Sequence, residues 1–202
     1  MKLLQTLVFA LATSTAVFAE DWTPEPGFVS LFNGKDLTGW GFREKTKKGS
    51  VEPGKILESF EGKTASSDAG RYSAKEGILT VNFPEGQERL IAQLHTTAEF
   101  SKDFVLKLEF RASVNADSGV FIRKPQLQCR DYLAAGPYKE LKNYKAQDWN
   151  LIEVTVKDGV ARCTCNGEVL EEALMLPATG PIGLEGDRGQ MEYRRIQLKV
   201  LP

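Results

Sequence analysis

The chain has 202 residues, with 26 Lys and Arg against 27 Asp and Glu, a formal net charge of −1 and 42% hydrophobic residues. Because this balance is nearly neutral and the charges are spread along the chain, there is no electrostatic reason to expect nucleic acid or an anionic membrane surface as a partner. The length is enough for one domain with a substantial core.

The first 19 residues have the composition of a secretory signal peptide. One lysine precedes an apolar run from Leu3 to Phe18, and Ala19 stands before two acidic residues. The alternative is a transmembrane anchor, but the run is short and polar residues interrupt it. We therefore predict cleavage after Ala19, a single mature domain over residues 20–202 and a periplasmic or secreted location, with no membrane partner after cleavage.

Strand-like alternation is the dominant pattern of the mature chain. Residues 43–75 are rich in Gly, Ser and Lys and lack clean periodicity, so we predict that they form long loops of the same domain. Residues 104–112 alternate apolar side chains with mainly charged ones, which predicts a half-buried strand.

The most informative segment is residues 118–132, which read SGVFIRKPQLQCRDY. Apolar residues alternate with a second set that carries two arginines and two carboxamides, namely Arg123, Gln126, Gln128 and Arg130. Arginine and carboxamide groups present fixed hydrogen-bond donors, which suit hydroxyl and carbonyl groups. This polar face is therefore suited to a neutral, polar ligand such as a sugar.

Further along the chain, weak helical patterning at 138–146 predicts one or two helical turns, and residues 149–159 alternate as a strand. An Asn-Gly pair at 166–167 predicts a hairpin turn. In residues 191–201 the apolar parity changes near Arg194, which predicts a β-bulge. Many short strands without crossover helices predict an all-β antiparallel sandwich or barrel rather than a doubly wound sheet.

The three cysteines, Cys129, Cys163 and Cys165, are an odd number for an exported protein, so at least one thiol is free or pairs between chains. Small buried hydrophobes are the favoured interpretation, and a disulfide from Cys129 to one of the other two is the alternative. The only histidine, His95, is predicted to be an ordinary surface or strand residue. Without a CxxC spacing, no metal site is predicted.

These elements carry motifs in a recognisable order: GFVSLFNGKDLTGW, FVLKLEFR, DSGVFIR, LQCRD, QDWN, NGE, GPIGLEG and MEYRRIQLK. In order and spacing, over about residues 27–201, they resemble the 3-keto-disaccharide hydrolase domain. The resemblance implies a concanavalin A-like jelly roll, in which two antiparallel sheets form a sandwich and ligands bind on a concave face. It also implies action on glycosides that are oxidised to a ketone at sugar carbon 3.

The chain departs from the pattern of that family at several positions. The family usually has Asn where this chain has Asp117, and Phe-Arg-Asn-Ile where this chain has residues 193–196. It usually has Glu at the position of Gln126 and Gln at the position of Glu185. The carboxylate lost at Gln126 and the one gained at Glu185 suggest a swap across one cleft.

The implied chemistry sets the roles that we predict. A ketone at carbon 3 makes the proton at carbon 2 acidic, and its removal can expel the group on carbon 1. This needs a general base, a donor or cation at the keto oxygen, and an acid for the leaving oxygen. If the polar strand faces belong to one concave sheet, they supply Glu109 as base or acid, with Arg111 or Arg123 at the developing enolate. The predicted substrate-binding residues, for hydroxyls or for stacking on a sugar ring, are Gln128, Arg130, Asp131, Tyr138, Trp149 and Glu185.

The sequence thus predicts an exported hydrolase or lyase that cleaves 3-keto-glycosides and takes a small carbohydrate as its substrate. The alternatives are a non-catalytic carbohydrate-binding module, since fold does not fix function, and a glucanase with two carboxylates at the glycosidic bond. Glu109 and Arg111 could equally form an ion pair on a solvated face, and Trp149 could be packing. No cofactor is predicted, with Ca²⁺ at the acids of residues 183–189 as the alternative.

Overall fold

The computed structural model describes residues 22–45, 53–83 and 91–202, so the predicted signal peptide lies outside the described residues. Within these ranges there are fourteen β-strands and no helix. In chain order the strands are β1 (Val29–Ser30), β2 (Trp40–Lys45), β3 (Pro53–Ser59), β4 (Tyr72–Lys75), β5 (Ile78–Val81), β6 (Ala92–Thr96), β7 (Phe104–Ala112), β8 (Gly119–Ile122), β9 (Gln126–Gln128), β10 (Asn150–Lys157), β11 (Val160–Cys165), β12 (Glu168–Met175), β13 (Ile182–Gly186) and β14 (Met191–Val200).

The strands form two antiparallel sheets, which confirms the predicted all-β sandwich. The eight-stranded sheet has the order β12-β11-β10-β7-β14-β5-β4, and β1 also pairs with β14. The six-stranded sheet has the order β3-β2-β6-β13-β8-β9. Hairpins pair consecutive strands at the ends of both sheets, as in β10-β11-β12 and β8–β9, whereas the central pairings, such as β7–β14 and β6–β13, join strands that are far apart in sequence.

The hydrophobic core lies between the two sheets. Along β7 the residues alternate between buried and partly exposed, and Phe104, Leu106, Leu108 and Phe110 are at most 1% exposed. Leu184 of β13, from the other sheet, belongs to the same core cluster. The alternate residues of each strand therefore form two outer faces, one on each side of the sandwich.

Two local predictions are confirmed in detail. Asn166 and Gly167 join β11 to β12 with φ values of 47° and 84°, the left-handed pair that a two-residue hairpin turn requires. In β14 the pairing with β7 shifts register between Arg194 and Gln197, and Arg195 has a φ of 52°. The change of apolar parity in the sequence is the signature of this bulge.

The prediction of long loops over residues 43–75 is wrong, because this range contains β3, β4 and the end of β2. The β2–β3 pairing shifts register on both sides of Arg43, so the sequence there loses its alternation. In addition, β3 and β4 are edge strands of their sheets. An edge strand packs less of its surface and needs a less regular apolar pattern.

Residues 138–146 form turns and do not continue into a regular helix. The carboxylate of Glu168 accepts hydrogen bonds from the backbone N–H groups of Lys142 and Asn143, at 2.9 and 2.5 Å. A side chain thus takes the backbone donors that a helix would use internally.

All three cysteines are buried and free, which confirms their interpretation as small buried hydrophobes. Burial raises the pKa of Cys163 and of Cys165 to about 12, and it raises the pKa of Cys129 well above its usual range. The thiols therefore stay protonated near neutral pH, where only a thiolate is a strong nucleophile. No helix in the described part of the chain is long and apolar enough to cross a membrane.

Candidate functional site

The charged residues predicted on β7 lie on the outer face of the eight-stranded sheet. Glu109 Oε2 accepts a hydrogen bond from Arg194 Nε at 2.6 Å, and its Oε1 accepts one from Arg195 Nη1 at 3.0 Å. Arg111 Nε donates to Glu192 Oε2 at 2.5 Å. Both side chains of β7 are therefore paired with partners on β14. This is an ion-pair arrangement, although Glu109 and Arg111 pair across the strands and not with each other.

Trp149 lies on this same outer face. Its ring centroid is 4.8 Å from the guanidinium carbon of Arg111 and 4.0 Å from that of Arg194. Guanidinium groups stack favourably on indole through cation–π attraction. The predicted sugar platform is thus already in contact with two protein cations.

The expectation that the predicted polar faces converge on one sheet is wrong. Glu109, Arg111 and Trp149 lie on the outer face of the eight-stranded sheet, whereas Gln128 and Glu185 belong to the six-stranded sheet. The outer faces of the two sheets point to opposite sides of the sandwich. The catalytic roles of Glu109 and Arg111 stay predictions, but those residues cannot share one cleft with Gln128 and Glu185.

Arg123 braces the end of β8. The strand ends at Ile122, and Arg123 has a φ of 61°, so its side chain leaves the alternation of the strand. Its Nη1 donates to the backbone oxygen of Pro177 at 2.9 Å, and its Nη2 donates to that of Lys102 at 2.8 Å. The guanidinium also lies over the ring of Phe104, 5.6 Å from its centroid. These contacts are with backbone and core, not with the other predicted catalytic residues.

Asp131 and Tyr138 lie in the loops that follow β9. Asp131 is buried, and its Oδ2 accepts a hydrogen bond from the backbone N–H of Asn115 at 3.0 Å. The hydroxyl of Tyr138 donates to Glu171, and its ring packs edge-on against Tyr132 at 5.6 Å. Both side chains are used to fix loops against the core, and their predicted contacts with a sugar stay predictions.

The outer face of the six-stranded sheet carries a carboxylate and a carboxamide in direct contact. Gln126 Nε2 donates to Glu185 Oε2 at 2.6 Å, and Glu185 is only 9% exposed. The contact joins β9 to β13 across β8, which lies between them in the sheet. Gln126 and Glu185 thus lie in contact on one face of the sheet, and their exchange across a ligand-binding cleft stays a prediction.

Ser118, directly before β8, and Gly119, its first residue, explain why this contact forms. The hydroxyl of Ser118 donates to the backbone oxygen of Glu185 at 2.7 Å and contacts the hydroxyl of Tyr193 at 2.8 Å. A Cβ at Gly119 would lie 2.1 Å from Gln126 Nε2, so only glycine leaves room for the Gln126 side chain to cross β8. Ser118 thus holds the backbone of Glu185 in place, and the missing side chain at Gly119 leaves room for Gln126 to reach Glu185.

Gln128 and Arg130 are brought together by Asp117. Asp117 Oδ1 accepts a hydrogen bond from Gln128 Nε2 at 2.6 Å and lies 3.5 Å from Arg130 Nη1. Asp117 Oδ2 lies 3.6 Å from Arg188 Nη2. Among the predicted site residues, Gln128, Arg130 and Glu185 therefore occupy one region of the molecule.

His95 extends the polar face next to Glu185. Its ring crosses Gly183, where an added Cβ would meet the imidazole Cδ2 at 2.7 Å, and it lies 6.2 Å from the ring of Phe121. His95 is 7% exposed, and its buried Nδ1 has no hydrogen-bond partner among the described residues. Burial, with a smaller effect from the charge of Arg43, lowers the pKa of His95 to about 4.

This buried neutral histidine predicts a specific pH dependence of stability. The pKa of His95 falls from 6.5 in a free chain to about 4 in the fold, so the unfolded chain binds the proton first as the pH is lowered. Because of His95, the free energy of unfolding is at its full value above pH 6.5. It falls by about 3 kcal/mol in total as the pH is lowered to about 4. Urea unfolding of the wild type and of His95→Gln across this window measures it. Identical pH slopes for the two proteins would contradict the assignment.

An open groove of about 410 Å³ borders this face. Its lining consists of Phe121, Lys124, Pro125, Gln126, Met175 and Pro177. Because Gln126 both lines the groove and binds Glu185, the groove and the carboxylate are adjacent. Apolar lining with a few fixed polar groups is typical of small-molecule sites.

Three residues of this face were not among the predicted site residues. Gln126 shares its strand face with Gln128 and could have been chosen by that parity, and Phe121 alternates with the buried residues of β8 in the same way. No signal in the sequence marked His95, because its position depends on the pairing of β6 with β13. Among the described residues no group of three or more His, Cys, Asp or Glu side chains is placed to hold a metal ion.

The two antiparallel sheets form a jelly-roll sandwich, the concanavalin A-like fold that the resemblance implied. The chain matches the family model of the 3-keto-alpha-glucoside-1,2-lyase-like domain over residues 27–199, and it belongs to that family. This confirms the resemblance and makes the chain a carbohydrate-active protein of lectin- and glucanase-like fold. No curated protein matches the sequence.

Solved structures share the fold at low sequence identity. A candidate glycosyl hydrolase from Parabacteroides distasonis ATCC 8503 is 16% identical with a TM-score of 0.62, over 87% of this chain and 95% of that chain. A second one from the same organism is 18% identical with a TM-score of 0.55, over 68% and 94%. The beta-glucanase of Bacillus licheniformis is 9% identical with a TM-score of 0.50, over 87% and 97%. These similarities establish the jelly-roll sandwich.

Proposed function

We propose that this protein cleaves glycosides whose sugar carries a ketone at carbon 3, and that Glu185 removes the proton from carbon 2. Family membership supports the class of substrate. The choice of base depends on one observation, the contact of the nearly buried Glu185 carboxylate with Gln126 beside an open groove. The neutral amide of Gln126 orients this carboxylate, and positioning is the first requirement of a general base.

The proposed reaction is an elimination. The Glu185 carboxylate takes the proton from carbon 2, and the electron pair of that C–H bond forms an enolate with the carbonyl at carbon 3. When the carbonyl re-forms, a double bond joins carbons 1 and 2 and the C1–O bond breaks. The leaving oxygen then takes a proton. Addition of water across the double bond converts this elimination into a formal hydrolysis.

Groups suited to assist the enolate lie beside Glu185, on the neighbouring strand β6. Gln93 of β6 pairs in register with Glu185, and paired side chains stand about 5 Å apart. His95 lies two residues further along β6, opposite Gly183, and its lowered pKa keeps it neutral at pH 7. We propose that these neutral donors bind the keto oxygen, where hydrogen bonds to a developing negative charge lower the barrier. We also propose that residues 1–19 are an export signal, so that the protein meets its substrate in the periplasm or outside the cell.

Two matched substrates test the proposed function. The purified protein is given a 3-keto-disaccharide and the same disaccharide without oxidation, in deuterated water, and the released sugar is analysed by mass spectrometry. We expect cleavage of the keto form alone, with deuterium at carbon 2 of the hydrated product, because water supplies that hydrogen. Cleavage of both forms would point to ordinary glycosidic hydrolysis. Binding of either form without cleavage would leave a carbohydrate-binding module.

A further inference from the structure

The groove beside Glu185 is chemically different from the polar face that it borders. Four of its six lining residues, Phe121, Pro125, Met175 and Pro177, are apolar. Met175, at the end of β12, is 71% exposed, which is unusual for a large hydrophobic side chain. A soft thioether next to an aromatic ring is a contact surface that adapts well to flat apolar groups. The groove therefore offers apolar area where the neighbouring face offers carboxamides.

We propose that this groove is the subsite of the leaving group, and that it takes an aryl aglycone in preference to a second sugar. The inference rests on the proposed function for the position of the reacting sugar. Gln126 links the groove to the proposed base, because its side chain lines the groove while its amide donates to Glu185 at 2.6 Å. A glycoside with its reacting carbons at Glu185 extends its leaving group past Gln126 and along Phe121.

The scarcity of polar groups decides against a second sugar. Only Lys124 and Gln126 bring polar side-chain atoms to the lining, and the amide nitrogen of Gln126 is engaged by Glu185. A hydroxyl that loses water without gaining a hydrogen-bond partner weakens binding. A second sugar brings several hydroxyls, whereas an aryl ring brings none and gains from the apolar lining.

The walls of the groove are fixed to each other. Arg123 Nη1 donates to the backbone oxygen of Pro177, and the backbone N–H of Arg123 donates to that of Pro181 at 2.8 Å. A Cβ at Gly180 would lie 2.4 Å from the backbone oxygen of Arg123, so the two segments approach as closely as glycine allows. The turn between β8 and β9 and the segment after β12 are thus held at one spacing. A fixed groove loses little entropy when it binds a rigid ring.

The test compares an aryl substrate with a sugar substrate in wild type and in one groove variant. The substrates are phenyl 3-keto-glucoside and a 3-keto-disaccharide, and the variant is Met175→Asn. We expect wild type to prefer the phenyl compound in kcat/KM, and Met175→Asn to lower that preference roughly five- to tenfold. Met175→Leu keeps the apolar surface and is expected to retain the preference. Val169→Asn, on the same strand but outside the groove, is the matched control for effects on folding.

A binding measurement separates this inference from the proposed function. Unoxidised phenyl glucoside is titrated into wild type and Met175→Asn and followed by protein NMR. If neither keto substrate is cleaved but the variant weakens phenyl glucoside binding, the proposed function fails and the aryl subsite stands. If both keto substrates are cleaved with a ratio that Met175→Asn does not change, the proposed function stands and the aryl subsite is overturned. Absence of both cleavage and phenyl glucoside binding overturns both.

Discussion

The variant Glu185→Gln is expected to lose about 10²- to 10⁴-fold in kcat on a 3-keto-glycoside, the usual contribution of a general base. The substitution removes the carboxylate that takes the carbon 2 proton and keeps the size of the side chain. Ser118 binds the backbone oxygen of residue 185 and not its side chain, so the strand keeps its position. Initial-rate kinetics give kcat, and thermal unfolding of the same preparation checks the fold.

The matched control for this variant is Glu109→Gln, the acid that the sequence placed first. Both oxygens of Glu109 accept hydrogen bonds from arginines of β14, on the opposite side of the sandwich from Glu185. We expect Glu109→Gln to lower the free energy of unfolding and to leave kcat nearly unchanged. The reverse result, a silent Glu185→Gln and an inactive Glu109→Gln, would return the active site to the eight-stranded sheet.

The contrast between these two acids shows what alternation in a sequence can and cannot predict. Period-2 patterning correctly separated the core side of β7 from its outer side, and it marked the bulge of β14. It does not say to which sheet a strand belongs. β7 pairs with β10 and β14, whereas β8 pairs with β13 and with β9, and of these partners only β9 is the next strand in the sequence. The condition for a shared cleft, that these polar faces belong to one sheet, therefore cannot be tested from the alternation, and in the structure the faces lie on opposite sides of the sandwich.

The candidate site was predictable only where two positions could be compared with each other. The family pattern indicated that Gln126 and Glu185 exchange a carboxylate and a carboxamide, and the two side chains are in hydrogen-bond contact. His95 had no such partner in the sequence, because its role depends on a glycine, Gly183, on a neighbouring strand. The alternation placed Arg123 on the polar face of β8, but its positive φ takes the side chain out of the alternation of that strand.

The variant Arg123→Met is expected to lower the free energy of unfolding by about 3 kcal/mol, because a buried charged donor loses its hydrogen bonds to two backbone carbonyls. Arg123 is 3% exposed, and its loss leaves the backbone oxygens of Lys102 and Pro177 without its guanidinium. Methionine still packs against Phe104, so the lost term is polar rather than a cavity. Chemical denaturation with urea measures the change through the unfolding midpoint.

The matched control is Arg162→Met, which removes the same type of side chain from the surface. Arg162 Nε lies 3.1 Å from Glu172, and the two side chains are 51% and 70% exposed. Such an exposed pair contributes at most about 1 kcal/mol to the free energy of unfolding.

The structural role of Arg123 and its predicted role as a cation at the enolate have different kinetic consequences. If the role is structural, the folded Arg123→Met protein keeps kcat within a few-fold, and the aryl preference is reduced because Pro177 is no longer held. A cation at the enolate predicts a loss of kcat of about 10²-fold or more on both substrates, with stability nearly unchanged.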